Sequence, residues 1–209
     1  MNEFKIEDFE IDLKKPLGKG GFGSVYKATK KNSNEVYAIK RISIENFSEN
    51  EIEKIEDEIT SMNLLKKCEN SINFFGYFKK EKYIYLIMEL CDCNLNKIIK
   101  TKNLNAEEIK EILKQLNNVF KIMNKNSIIH RNIKPENILI KKLKNNKYLY
   151  KLTDYGLSKL LNPKAKFKKG THVYIAPEII NNPNGDKSKI DLWSIGILIH
   201  KLFFGKIPI

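Results

Sequence analysis

Several common features are scarce or missing in this chain of 209 residues. Cysteine occurs only at Cys68, Cys91 and Cys93, an odd number without metal-ligand spacing. That excludes a disulfide scaffold and a cysteine-bound zinc site, and it fits a reducing, intracellular and cytoplasmic setting. There is no run of about 18 apolar residues, so no membrane span is expected. The N-terminus, MNEFKIEDFEID, is acidic and has no apolar core, so it does not read as a signal peptide. No internal repeat is found. An acidic balance is also lacking, because the formal net charge is +13. Such a charge can mark a surface for nucleic acid, acidic lipid or acidic peptides, or it can reflect heavy use of Lys, Asn and Ile by AT-rich codons. The lysines are spread along the chain and are not interleaved with aromatics. That favours the compositional reading and makes a nucleic-acid partner a minor expectation.

What is present belongs to a folded protein. Hydrophobic residues make up 42% and charged residues 30%, which argues against disorder. Residues 9–17 alternate as a strand, and the glycine-rich GKGGFG that follows is unsuited to a strand interior or a helix. SVYKATKK and EVYAIKRI predict a hairpin about the turn KNSN. Ser48 and Glu51 have capping-box spacing, and Ile52, Ile55, Ile59, Met62 and Leu65 predict the apolar stripe of a helix. Strands are expected over 72–78 and 83–90, the second buried on both faces. Asn105 and Glu108 open a second helix with its buried face on Ile109, Ile112, Leu113, Leu116, Val119, Phe120 and Met123. YLYKLT predicts a strand, residues 159–169 a lysine-rich loop, and LWSIGILIHKLFF an apolar helix. The chain thus divides into a strand-rich part up to about residue 90 and a helix-rich remainder.

Gly18-Lys19-Gly20-Gly21-Phe22-Gly23 is a G-x-G-x-x-G. A dinucleotide fingerprint would need a helix directly after it, whereas β-rich SVYKA follows. A glycine hairpin instead lets backbone N–H groups approach phosphates without a Cβ in the way. A lone Lys on a strand is commonly a solvated edge residue, but Lys40, flanked by apolar Ala38 and Ile39, can instead point inward and then needs a carboxylate. Glu58, beside Ile55, Ile59 and Met62, is the candidate partner.

These features, with His130-Arg131-x-x-Lys134-Pro135-Glu136-Asn137, Asp154-Tyr155-Gly156, Ala176-Pro177-Glu178 and Asp191-x-Trp193-Ser194-x-Gly196 following in order, resemble the eukaryotic protein kinase family. The resemblance runs from about residue 9 to the end. It implies an α+β fold of two lobes, an antiparallel sheet with one helix over 9–90 and a mainly helical, incomplete lobe over 91–209, with ATP in the cleft between them. By position, Gly18, Lys19, Gly20, Gly21, Phe22 and Gly23 would cover the phosphates. Val25, Ala38 and Leu139 would sandwich the adenine, Met88 would be the gatekeeper, and Glu89 and Cys91 would supply hinge bonds. Lys40, oriented by Glu58, would hold the α- and β-phosphates. Asn137 and Asp154 would hold Mg²⁺, whose preference for hard oxygen ligands suits them. Lys134 resembles the serine/threonine branch and would neutralise charge on the transferred phosphoryl group. Met62, Phe74, His130 and Tyr155 occupy the stack that links the lobes, with Tyr155 in place of the usual Phe. Its added hydroxyl needs a partner.

Three departures from the family's pattern stand out. Asn132 takes the position of the Asp that accepts the substrate hydroxyl's proton. Loss of a positioned base costs about 10²–10⁴ in rate, roughly 3–5 kcal/mol of barrier. A weak kinase and a nucleotide-binding pseudokinase, each working with an unidentified protein substrate or regulatory partner, therefore both stay open. Next, residues 159–169 contain no Ser, Thr or Tyr, and Phe167 stands where a phosphorylatable residue is common. No activating phosphorylation is expected in that window, although Arg131 is present to grip a phosphate and Ser158 and Thr171 lie outside it. Last, FFGKIPI resembles the stretch just after the central helix of the large lobe. Glu178 then lacks its usual Arg partner, and helix 192–204 is expected to be partly uncovered.

Overall fold

The computed structural model describes residues 4–20, 23–144, 147–157, 159–160, 172–177 and 189–208. Several positions named above lie outside these: Gly21 and Phe22, Ser158, Phe167 and the rest of 161–169, Gly170, Thr171 and Glu178. The chain divides into two compact units, Met1–Glu53 with Ile72–Cys91, and Lys54–Ser71 with Asp92–Ile209.

The first unit is built on five antiparallel strands, β1 (Phe9–Gly20), β2 (Gly23–Lys30), β3 (Val36–Ser43), β4 (Phe74–Lys80) and β5 (Tyr83–Glu89), ordered β1-β2-β3-β5-β4. Strand β1 runs on through most of the glycine stretch, because Gly18, Lys19 and Gly20 pair with Val25, Ser24 and Gly23. The pairing register sorts the side chains onto two faces. On one face Phe9, Ala28, Tyr37, Ile39, Tyr85 and Ile87 form an apolar core. Phe9 meets Tyr37 edge to face with ring centroids 5.5 Å apart, a favoured aromatic geometry. Lys40 alternates with Ile39 and so belongs to the other face. There it pairs with Val25 on one side and Leu86 on the other, and Ala38 pairs with Met88.

The long helix α1 (Glu49–Leu64) crosses the division between the units. Its start uses the expected residues in a modified way. The Glu51 carboxylate accepts from the Ser48 N–H at 3.0 Å, but it also accepts from the Ser48 hydroxyl at 2.9 Å. Glu51 N–H is bonded instead to the Ser48 carbonyl, at 2.9 Å. The buried face of α1 is Ile55, Glu58, Ser61 and Met62, so Ile52 and Ile59 lie only half-buried at its margin.

In the second unit, α3 (Ala106–Lys125) has the full reciprocal capping box. Glu108 N–H donates to Asn105 Oδ1 at 2.9 Å, and Asn105 N–H donates to Glu108 Oε2 at 3.0 Å. Its buried stripe is Ile109, Ile112, Leu116, Val119 and Met123, while Leu113 and Phe120 flank it half-buried. A short helix, α2 (Leu95–Ile99), precedes it and the apolar α4 (Ile190–Phe204) closes the unit. Three short strands pair as β6 (Cys93–Asn94), β8 (Ile138–Lys142) and β9 (Tyr148–Leu152), and β7 (Ile128–Ile129) pairs with β10 (Lys159–Leu160). Lys159 and Leu160, expected in a loop, are thus strand residues, because they pair with Ile129 and Ile128 of β7.

Asn70 binds the segment after α1 into this second unit. It is fully buried, and its Nδ2 donates to the Tyr150 carbonyl at 3.0 Å. Its Oδ1 accepts from Asn118 at 3.0 Å, and its carbonyl accepts from Leu152 N–H at 2.8 Å. On α4, Leu192, Trp193, Phe203 and Phe204 are exposed.

Candidate functional site

Within the first unit four of the candidate residues share one sheet face. Lys40, Ala38 and Met88 are buried and Val25 is half-buried, and all lie on the face opposite the aromatic core. A buried ammonium on a strand is costly unless it meets negative charge, so a lysine at this position requires an explanation beyond packing. Glu89 is fixed at the end of β5 by a double tie. Its N–H donates to the Asn73 carbonyl at 3.0 Å, and its carboxylate accepts from Asn73 N–H at 2.8 Å. Cys91 follows it, half-buried.

The glycines of the loop separate into two kinds. Gly23 is required by the fold: its φ is 155°, and a Cβ there would sit 2.3 Å from the Arg41 carbonyl oxygen. Among the described residues, Gly18 has nothing within 4 Å of a Cβ position, and Gly20 only the Gly23 oxygen at 3.8 Å. Protein packing does not demand glycine at those two positions, and the space beside them is open to a ligand.

In the second unit the loop from His130 to Asn137 carries the remaining groups. Asn132 is 7% exposed. Its Nδ2 donates to Asp154 Oδ2 at 3.2 Å, and its backbone carbonyl accepts from Asn137 Nδ2 at 2.8 Å. Asn137 is fixed further by its own N–H to the Lys134 carbonyl at 2.9 Å, while its carbonyl accepts from Thr153 N–H at 3.0 Å. Asn132, Asn137 and Asp154 are therefore brought together as one hydrogen-bonded trio, with Lys134 on the same turn. Leu139 pairs with Asn94 and Lys151 on β8. Glu58 is 2% exposed on α1.

This loop is held under strain. Arg131 has φ 64° and Asp154 has φ 65°, both in the left-handed region that non-glycine residues occupy at a cost of about 1–3 kcal/mol. Asp191, at the start of α4, supports the first of these. Its two carboxylate oxygens accept the backbone N–H groups of His130 at 2.7 Å and Arg131 at 2.8 Å. Burial pushes the Asp191 carboxyl up from the ordinary range, against the pull of His130 and of those donors. Burial likewise lowers His130, whose Nε2 lies 3.1 Å from the Thr153 carbonyl oxygen. Burial also takes Arg131 down to about 10, countered by Asp191 and Asp57. In the sequence Asp191 is only one letter of the Asp191-x-Trp193-Ser194-x-Gly196 motif. Its role emerges from the two donors it faces.

A hard cation fits the donor set. The Asn137 amide hydrogens point at Asn132, so Oδ1 is the atom it would present to a metal. A carboxylate accepts about four contacts, so the one from Asn132 does not exhaust Asp154. Among the described residues no group of three or more His, Cys, Asp or Glu could hold a metal. One carboxylate and one carboxamide oxygen suit an ion that keeps waters and ligand oxygens as its other partners, as Mg²⁺ does. Among the described residues, no helix is long and apolar enough to cross a membrane.

Comparison with known proteins identifies the family. Residues 11–209 match the family model described as protein kinase domain. The chain is 36% identical over 214 positions to a probable serine/threonine-protein kinase of Dictyostelium discoideum, covering 92% of this chain and 30% of that protein. It is 32% identical over 208 positions to a probable myosin light chain kinase of the same organism, covering 98% of this chain and 52% of that protein. A calcium-dependent protein kinase of Arabidopsis thaliana is 32% identical over 202 positions, covering 94% of this chain and 37% of that protein. The chain thus spans about a third to a half of the length of these relatives.

Proposed function

The chain belongs to the protein kinase domain family, and from that premise we propose that it is an ATP- and Mg²⁺-binding domain of serine/threonine type. In this reading phosphoryl transfer to protein hydroxyls is slowed by Asn132. The observation that carries the reading is the hydrogen-bonded trio of Asn132, Asn137 and Asp154 beside Lys134. Asp154 and Asn137 would hold Mg²⁺, which when bound would neutralise phosphate charge. By family resemblance Lys40 and Glu58 are the residues assigned to the α- and β-phosphates, and Lys134 the one assigned to the transferred group. Gly18, Lys19, Gly20, Gly21, Phe22 and Gly23 lie over the phosphates. Val25, Ala38 and Leu139 enclose the adenine beside Met88. Glu89 N–H is bonded to Asn73, so the hinge bond from Glu89 runs from its carbonyl, with Cys91 supplying the second.

In the reaction the substrate oxygen bonds to the γ-phosphorus as the bond to the β,γ-bridging oxygen breaks, and the hydroxyl proton must leave. The Asn132 carboxamide can orient that hydroxyl through its carbonyl, but it has no carboxylate to take the proton. Positioning and electrostatics carry most of such a reaction, so a residual rate is expected. A second reading, a nucleotide-binding pseudokinase acting as scaffold or allosteric partner, is favoured by one observation: the amide hydrogens of Asn132 are engaged with Asp154. The domain spans residues 9–209 in either reading, and a chain with only three cysteines fits a cytoplasmic setting.

The test is MgATP binding by thermal shift. The wild-type chain is expected to shift and Lys40→Ala not to. An equal shift in the variant overturns the nucleotide site.

A further inference from the structure

The left-handed backbone of Asp154 must be held in place by its surroundings, and the residue after it is anchored on several sides. Tyr155 is fully buried, with its ring centroid 5.0 Å from that of His130. Its hydroxyl lies 2.9 Å from Ser71 Oγ and 3.4 Å from the Leu152 carbonyl oxygen. A phenol carries one proton, so when Tyr155 donates to Leu152 the Ser71 hydroxyl donates to Tyr155. Ser71 is itself 1% exposed, and it bridges to Leu152 through the backbone. One phenol oxygen thus ties the strand leading into Asp154 to the segment that follows α1. A phenylalanine could fill the same space and pack on His130, but it would leave the buried Ser71 hydroxyl without this partner.

We propose that Ser71 and the Tyr155 hydroxyl form a latch that fixes the Asp154 backbone and so aims its carboxylate at the bound divalent cation. Both are positioning residues, since neither touches the cation or the nucleotide. The inference rests on the reading of Asp154 as a metal-holding group.

The experiment measures the free magnesium concentration that gives half of the magnesium-dependent thermal shift at saturating ATP. It uses the full chain as wild type, Tyr155→Phe, Ser71→Ala, Ser71→Thr and the Tyr155→Phe/Ser71→Ala double variant. Each hydroxyl-removing single substitution is expected to raise the midpoint about three- to tenfold, the effect of one hydrogen bond. The double variant should be no worse than the poorer single, Ser71→Thr should stay close to wild type, and the shift by ATP in chelator should not change. Ser71→Ala removes a single oxygen and keeps the test open should Tyr155→Phe not fold. Variants that melt earlier yet keep the wild-type midpoint overturn the latch and leave only a structural role. So does a double variant whose effect equals the sum of the singles. Asp154→Ala separates the two levels. If it leaves the magnesium midpoint unchanged, or if wild type has no magnesium-dependent shift, the metal reading falls and the latch with it.

Discussion

Restoring a carboxylate at position 132 tests the site most directly, because two opposed effects follow from one atom. In Asn132→Asp the group that donates to Asp154 Oδ2 at 3.2 Å becomes an oxygen bearing negative charge. Two unit charges at that distance repel by about 5 kcal/mol at an effective dielectric near 20. The hydrogen bond to a charged group, roughly 1.5–3 kcal/mol, is lost as well. Side-chain relaxation offsets part of this, so the metal-free variant is expected to unfold about 2–5 kcal/mol more easily than wild type. Magnesium and ATP should recover much of that loss, because a cation between the carboxylates turns repulsion into attraction. The same substitution supplies the missing base, which is expected to raise phosphoryl transfer by about 10²–10⁴. The assay pairs urea unfolding, with and without magnesium, with transfer of radiolabelled γ-phosphate to a serine/threonine peptide mixture. Asn132→Ala is the control that removes the donor without adding charge. If wild type transfers phosphate within a few-fold of Asn132→Asp, the missing base is not what limits it. If Asn132→Asp is as stable as wild type without metal, the contact between positions 132 and 154 is not the one described.

The glycines and Asp191 give further tests. Gly23→Ala should cost at least about 1–3 kcal/mol of stability, because its backbone and the Arg41 carbonyl both exclude a Cβ. Gly18→Ala should change stability by less than about 0.5 kcal/mol while weakening ATP binding. Denaturant melts and ATP titrations check the pair, and undiminished ATP affinity in Gly18→Ala would remove Gly18 from the phosphate site. Asp191→Ala leaves two backbone donors without their acceptor and should cost about 2–5 kcal/mol by chemical denaturation. A loss under about 1 kcal/mol would mean that water replaces it.

Much of the fold was legible because local signals agreed with the final packing. The capping box at Asn105 and Glu108 and the stripe from Ile109 to Met123 together fixed α3. Helix α1 was less legible. Its apolar residues pointed to Ile52 and Ile59, but the buried face is shifted toward Glu58 and Ser61. A periodicity read from hydrophobicity cannot register a polar side chain that is buried. Strand β10 was invisible for a different reason, since a two-residue strand is defined by its partner and not by its own composition.

The candidate site divides along the same line between sequence and structure. Residue types at motif spacing named Lys40, Asn132, Asn137 and Asp154, because each is chemically conspicuous where it stands. The residues that hold them were silent or incidental. Ser71 is an ordinary serine in the sequence, and the Tyr155 hydroxyl looked like a tolerated addition in need of some partner. The coordinates identify that partner across a sequence separation of 84 residues. Asp191 is likewise 61 residues from the backbone it supports. Strain explains why such supports are needed. Arg131 and Asp154 sit in costly backbone conformations on either side of the Asn132 amide, so the loop keeps its shape only while distant groups restrain it. The side chain at 132 sets the chemistry. The buried polar ties around it keep Asn132 and Asp154 within hydrogen-bonding distance.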